Sequence, residues 1–150
     1  MAKSPDISIG KLHIWVHGKE FPHSAGSPTD SYDDAGFLRT TVSYKTACAT
    51  VEITGSILHY VDLLRLEHDC RNLQQTNTGK IVFSTLEPCI HYELEANKLG
   101  HLKGRLVLRP DPVYETHTYE IEDLDLTYLP AMITECDTVL RKYFGSEEKK

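Results

Sequence analysis

The sequence predicts an α+β fold: a largely antiparallel β-sheet of about seven strands, in one sheet or split into two, with two amphipathic helices in the order β-β-β-α-β-β-β-β-α. Three observations carry that reading. Apolar and polar residues alternate with a period of two through 90–96, where Ile90, Tyr92, Leu94 and Ala96 oppose His91, Glu93 and Glu95. Leu129, Met132, Ile133, Cys136, Leu140 and Tyr143 recur at helical intervals and form one apolar stripe. Short turn signals join the strand-like segments that follow Lys80, as in a meander of hairpins.

Taken in order, residues 6–17 read as one strand, with Leu12, Ile14 and Val16 on one face and Lys11, His13, Trp15 and His17 on the other. Residues 18–36 are turn chemistry throughout, rich in Gly, Pro, Ser and Asp, and form the longest loop of the chain. Two strands, 37–45 and 48–54, are marked by Thr, Val, Tyr and Ile. A helix over 56–74 takes Ser56 as its N-cap after Gly55 and carries the i,i+4 pair Glu67–Arg71. Its His59, Asp62 and His68 fall toward the polar side and read as solvated.

Strands at 80–86, 89–96, 101–109 and 113–123 follow. A hairpin closing over 97–101 pairs Glu95 with Lys103 and Glu93 with Arg105, and one closing over 110–113 pairs Lys103 with Glu120 and Arg105 with Thr118. The closing helix spans about 128–143, with Asp125 or Thr127 as cap and Pro130 tolerated in its first turn. Residues 145–150 read as a disordered tail.

At 150 residues the chain is expected to form a single domain, 1–150, long enough to bury about two-thirds of its unfolded surface. It shows no secretory leader and no apolar run of bilayer length, so a cytoplasmic location is expected. The four cysteines, Cys48, Cys70, Cys89 and Cys136, have no C-x-x-C spacing, which disfavours structural zinc and points to free, buried, inert thiols.

The net charge of −6 is not spread evenly. Residues 1–109 hold 12 acids and 12 bases, whereas 110–140 hold 8 acids and no Lys or Arg. Such a balance argues against a non-specific nucleic-acid binder. No nucleophile motif, P-loop, dinucleotide fingerprint or H-E-x-x-H is present, and no cofactor is implied. His13, His17 and His23 with nearby acids form an alternative metal-binding or enzymatic constellation, but their spacing is not diagnostic and a solvated or partner-facing surface is the preferred reading. A self-associating module using Trp15 and the tyrosines is a further alternative, so a homo-oligomer stays open.

Four phrases stand out within residues about 37–144: Ala-x-Val-Glu-Ile at 49–53 before the leucine-rich helix, LEPCIHYELE at 86–95, GHLKGRLVL at 100–108 and EIEDLDLTYLPAMI at 120–133. By these phrases and the order of its elements the chain resembles the WapI-like family of bacterial immunity proteins. Gly100-His101 and Thr127-Tyr128-Leu129-Pro130 are the most specific pieces, and Leu126 departs from the polar residue expected there. The resemblance implies a non-enzymatic antidote that binds a cognate toxin domain, often a nuclease, in the cytoplasm. It carries over no catalytic residues. Charge then nominates Asp33, Asp34, Glu115, Glu120, Glu122 and Asp123 as toxin contacts, since an acidic surface mimics phosphate and attracts a basic nuclease.

Overall fold

The computed structural model describes residues 3–28 and 33–148, with side chains described as far as Gly145. Among the described residues eight strands form two four-stranded antiparallel sheets, one strand more than the alternation pattern indicates, and two α-helices accompany them. The first sheet is a meander of β1 (Ile7–Ile9), β2 (Leu12–Lys19), β3 (Phe37–Lys45) and β4 (Thr50–His59). The helix α1 (Tyr60–Thr76) leads into the second meander: β5 (Lys80–Ser84), β6 (Ile90–Ala96), β7 (His101–Asp111) and β8 (Glu115–Asp125). A short 3₁₀ turn, Leu126–Tyr128, opens α2 (Leu129–Glu148).

The extra strand comes from residues 6–17, which form a hairpin and not one strand. Ile9 pairs with Leu12, so Gly10 and Lys11 make a two-residue connection, and Gly10 has φ +63°. Glycine at the first position of such a turn suits the right-handed twist of the flanking strands. Ile7 and Ile9 bury beside Leu12, Ile14 and Val16.

Residues of both sheets and both helices form one hydrophobic cluster. Alternation places Ile81, Phe83, Ile90, Tyr92, Leu94, Leu106 and Leu108 on the inner face of the second sheet, as the sequence pattern requires. Cys70 and Cys136 lie buried between the helices, and burial pushes both thiols up, Cys70 to about 12. Cys89 is half-buried, and Cys48 is exposed in the β3–β4 turn, contrary to the expectation of four buried thiols.

The helices also close sheet edges. Glu135 of α2 accepts the backbone N–H of Ser8 on β1 at 2.9 Å, and Asp69 of α1 accepts that of Val82 on β5 at 3.0 Å. An unpaired strand edge is a template for aggregation, and each carboxylate occupies one of its donors. Replacing Glu135 with alanine is expected to cost about 1–2 kcal/mol, because a charge-assisted hydrogen bond is lost and a strand donor is orphaned. Urea denaturation of Glu135→Ala reads this directly; an unchanged midpoint would show that the contact contributes nothing.

Registers in the second sheet follow the sequence reading on one side and depart from it on the other. Glu95↔Lys103 and Glu93↔Arg105 pair as expected. Arg105, however, faces Glu120, and Thr118 faces Val107, a slip of two residues from the expected alignment. The cause is the turn. β7 continues through Pro110 to Asp111, and β8 starts at Glu115 and not at Val113. Pro110 is accommodated because the pairing shifts between Leu108 and Asp111, where a bulge removes the need for its missing N–H. A slip of two leaves residues 118–121 on their predicted faces.

The first helix also starts later than expected. β4 runs to His59, with Ile57 as an extra residue between Leu38↔Leu58 and Arg39↔Ser56. Ser56 is therefore a strand residue and His59 is the N-cap. The closing helix extends beyond Gly145 to Glu148, into the segment read as a tail, whose last two residues lie outside those described.

Candidate functional site

The acidic stretch is built by β8, the turn before it and α2. Local chemistry accounts for six of its eight carboxylates. Asp111 Oδ1 accepts the backbone N–H groups of Val113 at 2.9 Å and Tyr114 at 3.1 Å, which fixes the β7–β8 turn. Glu115 contacts the His117 ring, and Glu120 pairs with Arg105 at 2.8 Å. Asp125 caps the 3₁₀ turn through Thr127 N–H at 2.9 Å, and the Thr127 hydroxyl, followed by that N–H, holds its carboxyl below the usual range. Glu135 closes the β1 edge, and Asp137 pairs with Arg71 at 2.9 Å across the two helices.

Glu122 and Asp123 have no ion pair among the described residues. Leu102 pairs with Leu124 and Gly104 with Ile121, so both acids oppose the single residue Lys103 in a bulge. Both are exposed. Behind them the Tyr44 and Tyr119 rings stand 4.5 Å apart, and the Tyr92 hydroxyl donates to Ile9 O at 3.3 Å. Burial raises the Tyr44 phenol, with the Asp123 charge adding to the effect.

The remaining nominated acids sit elsewhere. Asp33 caps a 3₁₀ turn, Asp34–Gly36, by accepting Ala35 N–H at 2.9 Å, beside the first sheet, while Asp34 is exposed. The six nominated residues thus divide between the loop before β3 and the end strand of the second sheet, and they form no single cluster.

His13, Trp15 and His17 share the outward side of β2, as predicted. The His17 ring meets the Thr41 hydroxyl at 2.8 Å and the Trp15 indole donates to Lys3 O at 2.8 Å. His23 is exposed in the following loop. Among the described residues no three His, Cys, Asp or Glu side chains come together in a way that could hold a metal ion.

A polar site that the sequence reading placed in solvent lies at the start of α1. His59 is fully buried and Asp62 is 2% exposed. Asp62 Oδ2 accepts the backbone N–H of His59 at 3.0 Å, while His59 Nδ1 accepts Val61 N–H at 3.1 Å, a reciprocal capping box. His59 Nε2 lies 2.7 Å from the carbonyl oxygen of Asp33. Since Nδ1 is an acceptor, Nε2 carries the proton and donates it. The three-residue spacing His59–Asp62 was the available sequence signal; a histidine in the capping role hides it.

Grooves on the surface are lined mainly by turns and ion pairs. One of about 550 Å³, between the end of α1 and the β6–β7 turn, has Lys98 as its sole titratable lining residue. Another, of about 310 Å³, is floored by Gly104 and edged by Lys80, Glu93, Glu95, Lys103, Arg105 and Glu120. Its charges alternate across the sheet, with Lys80–Glu93 at 3.6 Å and Arg105–Glu120 at 2.8 Å. Such cross-strand pairs serve the sheet surface.

Fold and surface together define an α+β protein of two antiparallel meanders, with carboxylates on an exposed end strand and no group of three His, Cys, Asp or Glu placed to hold a metal ion among the described residues. The family model of the WapI-like immunity proteins matches residues 5–143, and the chain belongs to that family. The match reaches well into the first 36 residues, which the sequence phrases did not cover. No curated protein and no solved structure matches the chain. No helix among the described residues is long and apolar enough to cross a membrane.

Proposed function

We propose that the chain neutralises a cognate toxin domain by binding it stoichiometrically in the cytoplasm, without turnover. Membership of the immunity family over 139 of its 150 residues carries this reading. A nuclease is the toxin class that suits its charge. A nuclease must present a basic surface to a phosphate backbone, and carboxylates arrayed on a rigid strand complement that surface. Asp33, Asp34, Glu115, Glu120, Glu122 and Asp123 are the proposed contacts. Glu122 and Asp123 contribute most, since neither must surrender an internal partner to make a new one.

The test is co-expression with the toxin domain encoded beside this chain. Protection of the cell, a complex of one copy of each on purification, and inhibition that saturates at equimolar ratio are the expected results. Raising the salt from about 50 to about 300 mM is expected to slow association roughly tenfold, because exposed charges steer the encounter and are screened. Absence of both complex and protection would sink the proposal.

A further inference from the structure

We infer that the β7–β8 hairpin is a binding arm whose tip, Val113–Tyr114, seats in a cationic, apolar-floored cleft of the toxin. This inference rests on the immunity reading and adds to it an apolar contact at the opposite end of β8 from Glu122 and Asp123.

The arm stands clear of the sheet that carries it. β6 accompanies β7 only as far as Ile90↔Leu108, with one further bond from Arg109 N–H to Cys89 O at 2.9 Å. Beyond that point β7 and β8 are paired only with each other, up to Asp111↔Glu115. The three residues that close the turn include two of the most exposed apolar side chains among those described, Val113 at 77% and Tyr114 at 88%.

The tip is also ordered by its own chemistry. Asp111 accepts the N–H groups of both Val113 and Tyr114, so the turn is held before any partner arrives. A preformed turn loses little entropy on binding. Tyrosine adds a large rigid ring with a polar end, the residue type that most often carries interface energy. Neither Val113 nor Tyr114 contributes to the hydrophobic cluster, so folding does not require an apolar residue at either position.

Charge selects the occupant. Asp111 and Glu115 flank the tip, and no Lys or Arg follows Arg109 until Arg141. A second copy of this chain would bring like-charged carboxylates together, which is unfavourable. A cleft with a cationic rim and an apolar floor satisfies both parts of the tip.

The experiment measures affinity of the full chain for the neighbouring toxin domain in catalytically inactivated form, by calorimetry, alongside protection in cells. Tyr114→Ala and Val113→Ser are compared with Leu99→Ser, a control in the β6–β7 turn where the side chain is 81% exposed. The arm predicts a loss of about 30-fold or more for Tyr114→Ala, a smaller loss for Val113→Ser and no change for Leu99→Ser, with melting temperatures preserved. Wild-type affinity in both tip variants overturns the arm and leaves the immunity reading intact. Failure of the unaltered chain to bind or protect overturns both. A dimer of this chain that Tyr114→Ala dissociates also overturns the arm, because the tip would then serve self-association.

Discussion

Gly104→Ala is expected to lower the stability of the protein by about 3 kcal/mol or more, which for a domain of this size corresponds to a fall in melting temperature of roughly 6–12 °C. Gly104 lies in β7 opposite Leu94 of β6. A Cβ at this position would stand 1.7 Å from the carbonyl oxygen of Glu93, 2.7 Å from its carbonyl carbon and 3.0 Å from the Leu94 Cα. All three are backbone atoms of the paired strand. A flexible side chain can swing aside; a strand held in a ladder moves only by giving up hydrogen bonds. The close approach adjoins the bulge where Glu122 and Asp123 oppose Lys103. Glycine inside a strand commonly marks such a place. Thermal denaturation followed by circular dichroism measures the effect. Gly145→Ala is the control, since nothing lies within 4 Å of the added methyl and alanine favours a helix. Equal melting temperatures for Gly104→Ala and the parent would refute the close approach.

The second sheet shows what the sequence made legible and what it hid. Period-two alternation located β5, β6 and β7 and their inward faces, because each has one face in the core and one in solvent. The helical stripe from Leu129 located α2 for the same reason. The register of β7 against β8 was displaced because Pro110 resembles a turn residue, yet the strand passes through it at an irregularity in pairing. Val113 and Tyr114 are good strand formers, so propensity drew them into β8 and concealed their position at an exposed tip.

The boundary between β4 and α1 is hidden for a related reason. Gly55-Ser56 has the chemistry of a helix start, and the bulge at Ile57 puts two apolar residues in succession, which breaks strand alternation. His59 and Asp62 then fell on the polar side of a helix drawn too early. In the hairpin of β1 and β2, the Gly-Lys connection was a usable turn signal that continuous alternation from Leu12 overshadowed. For the acidic stretch the excess of charge is plain in the sequence, but which carboxylates cap, pair and close edges depends on partners distant in the chain, Ser8, Arg71 and Arg105 among them.

His59→Ala is expected to cost about 3 kcal/mol near neutral pH and to flatten part of the stability profile on the acid side. The ring joins three segments: Nδ1 accepts from Val61 in α1, Nε2 donates to Asp33 in the loop, and the Phe37 ring meets it edge-on at 4.7 Å. Gly36 allows the approach, since a Cβ there would lie 2.4 Å from His59 Cε1 and Nε2. Removing the imidazole orphans the Val61 N–H and empties a packed site. Its protonation is equally disfavoured, because a proton on Nδ1 would face the Val61 N–H. Burial accordingly depresses the His59 pKa, against an opposing pull from the Asp33 carbonyl and charge. The unfolded chain therefore takes up a proton near pH 6.5 while the folded chain resists until lower pH. Stability from this group is complete above about pH 6.5 and is lost as pH falls toward the depressed value. Urea midpoints at about pH 8, 7, 6 and 5 should fall less steeply for His59→Ala than for the parent across the acid steps. Identical slopes would show that His59 titrates alike in both states. The consequence for binding is local: His59 anchors Asp33, so acidification should loosen the loop that presents Asp33 and Asp34 before it disturbs β8.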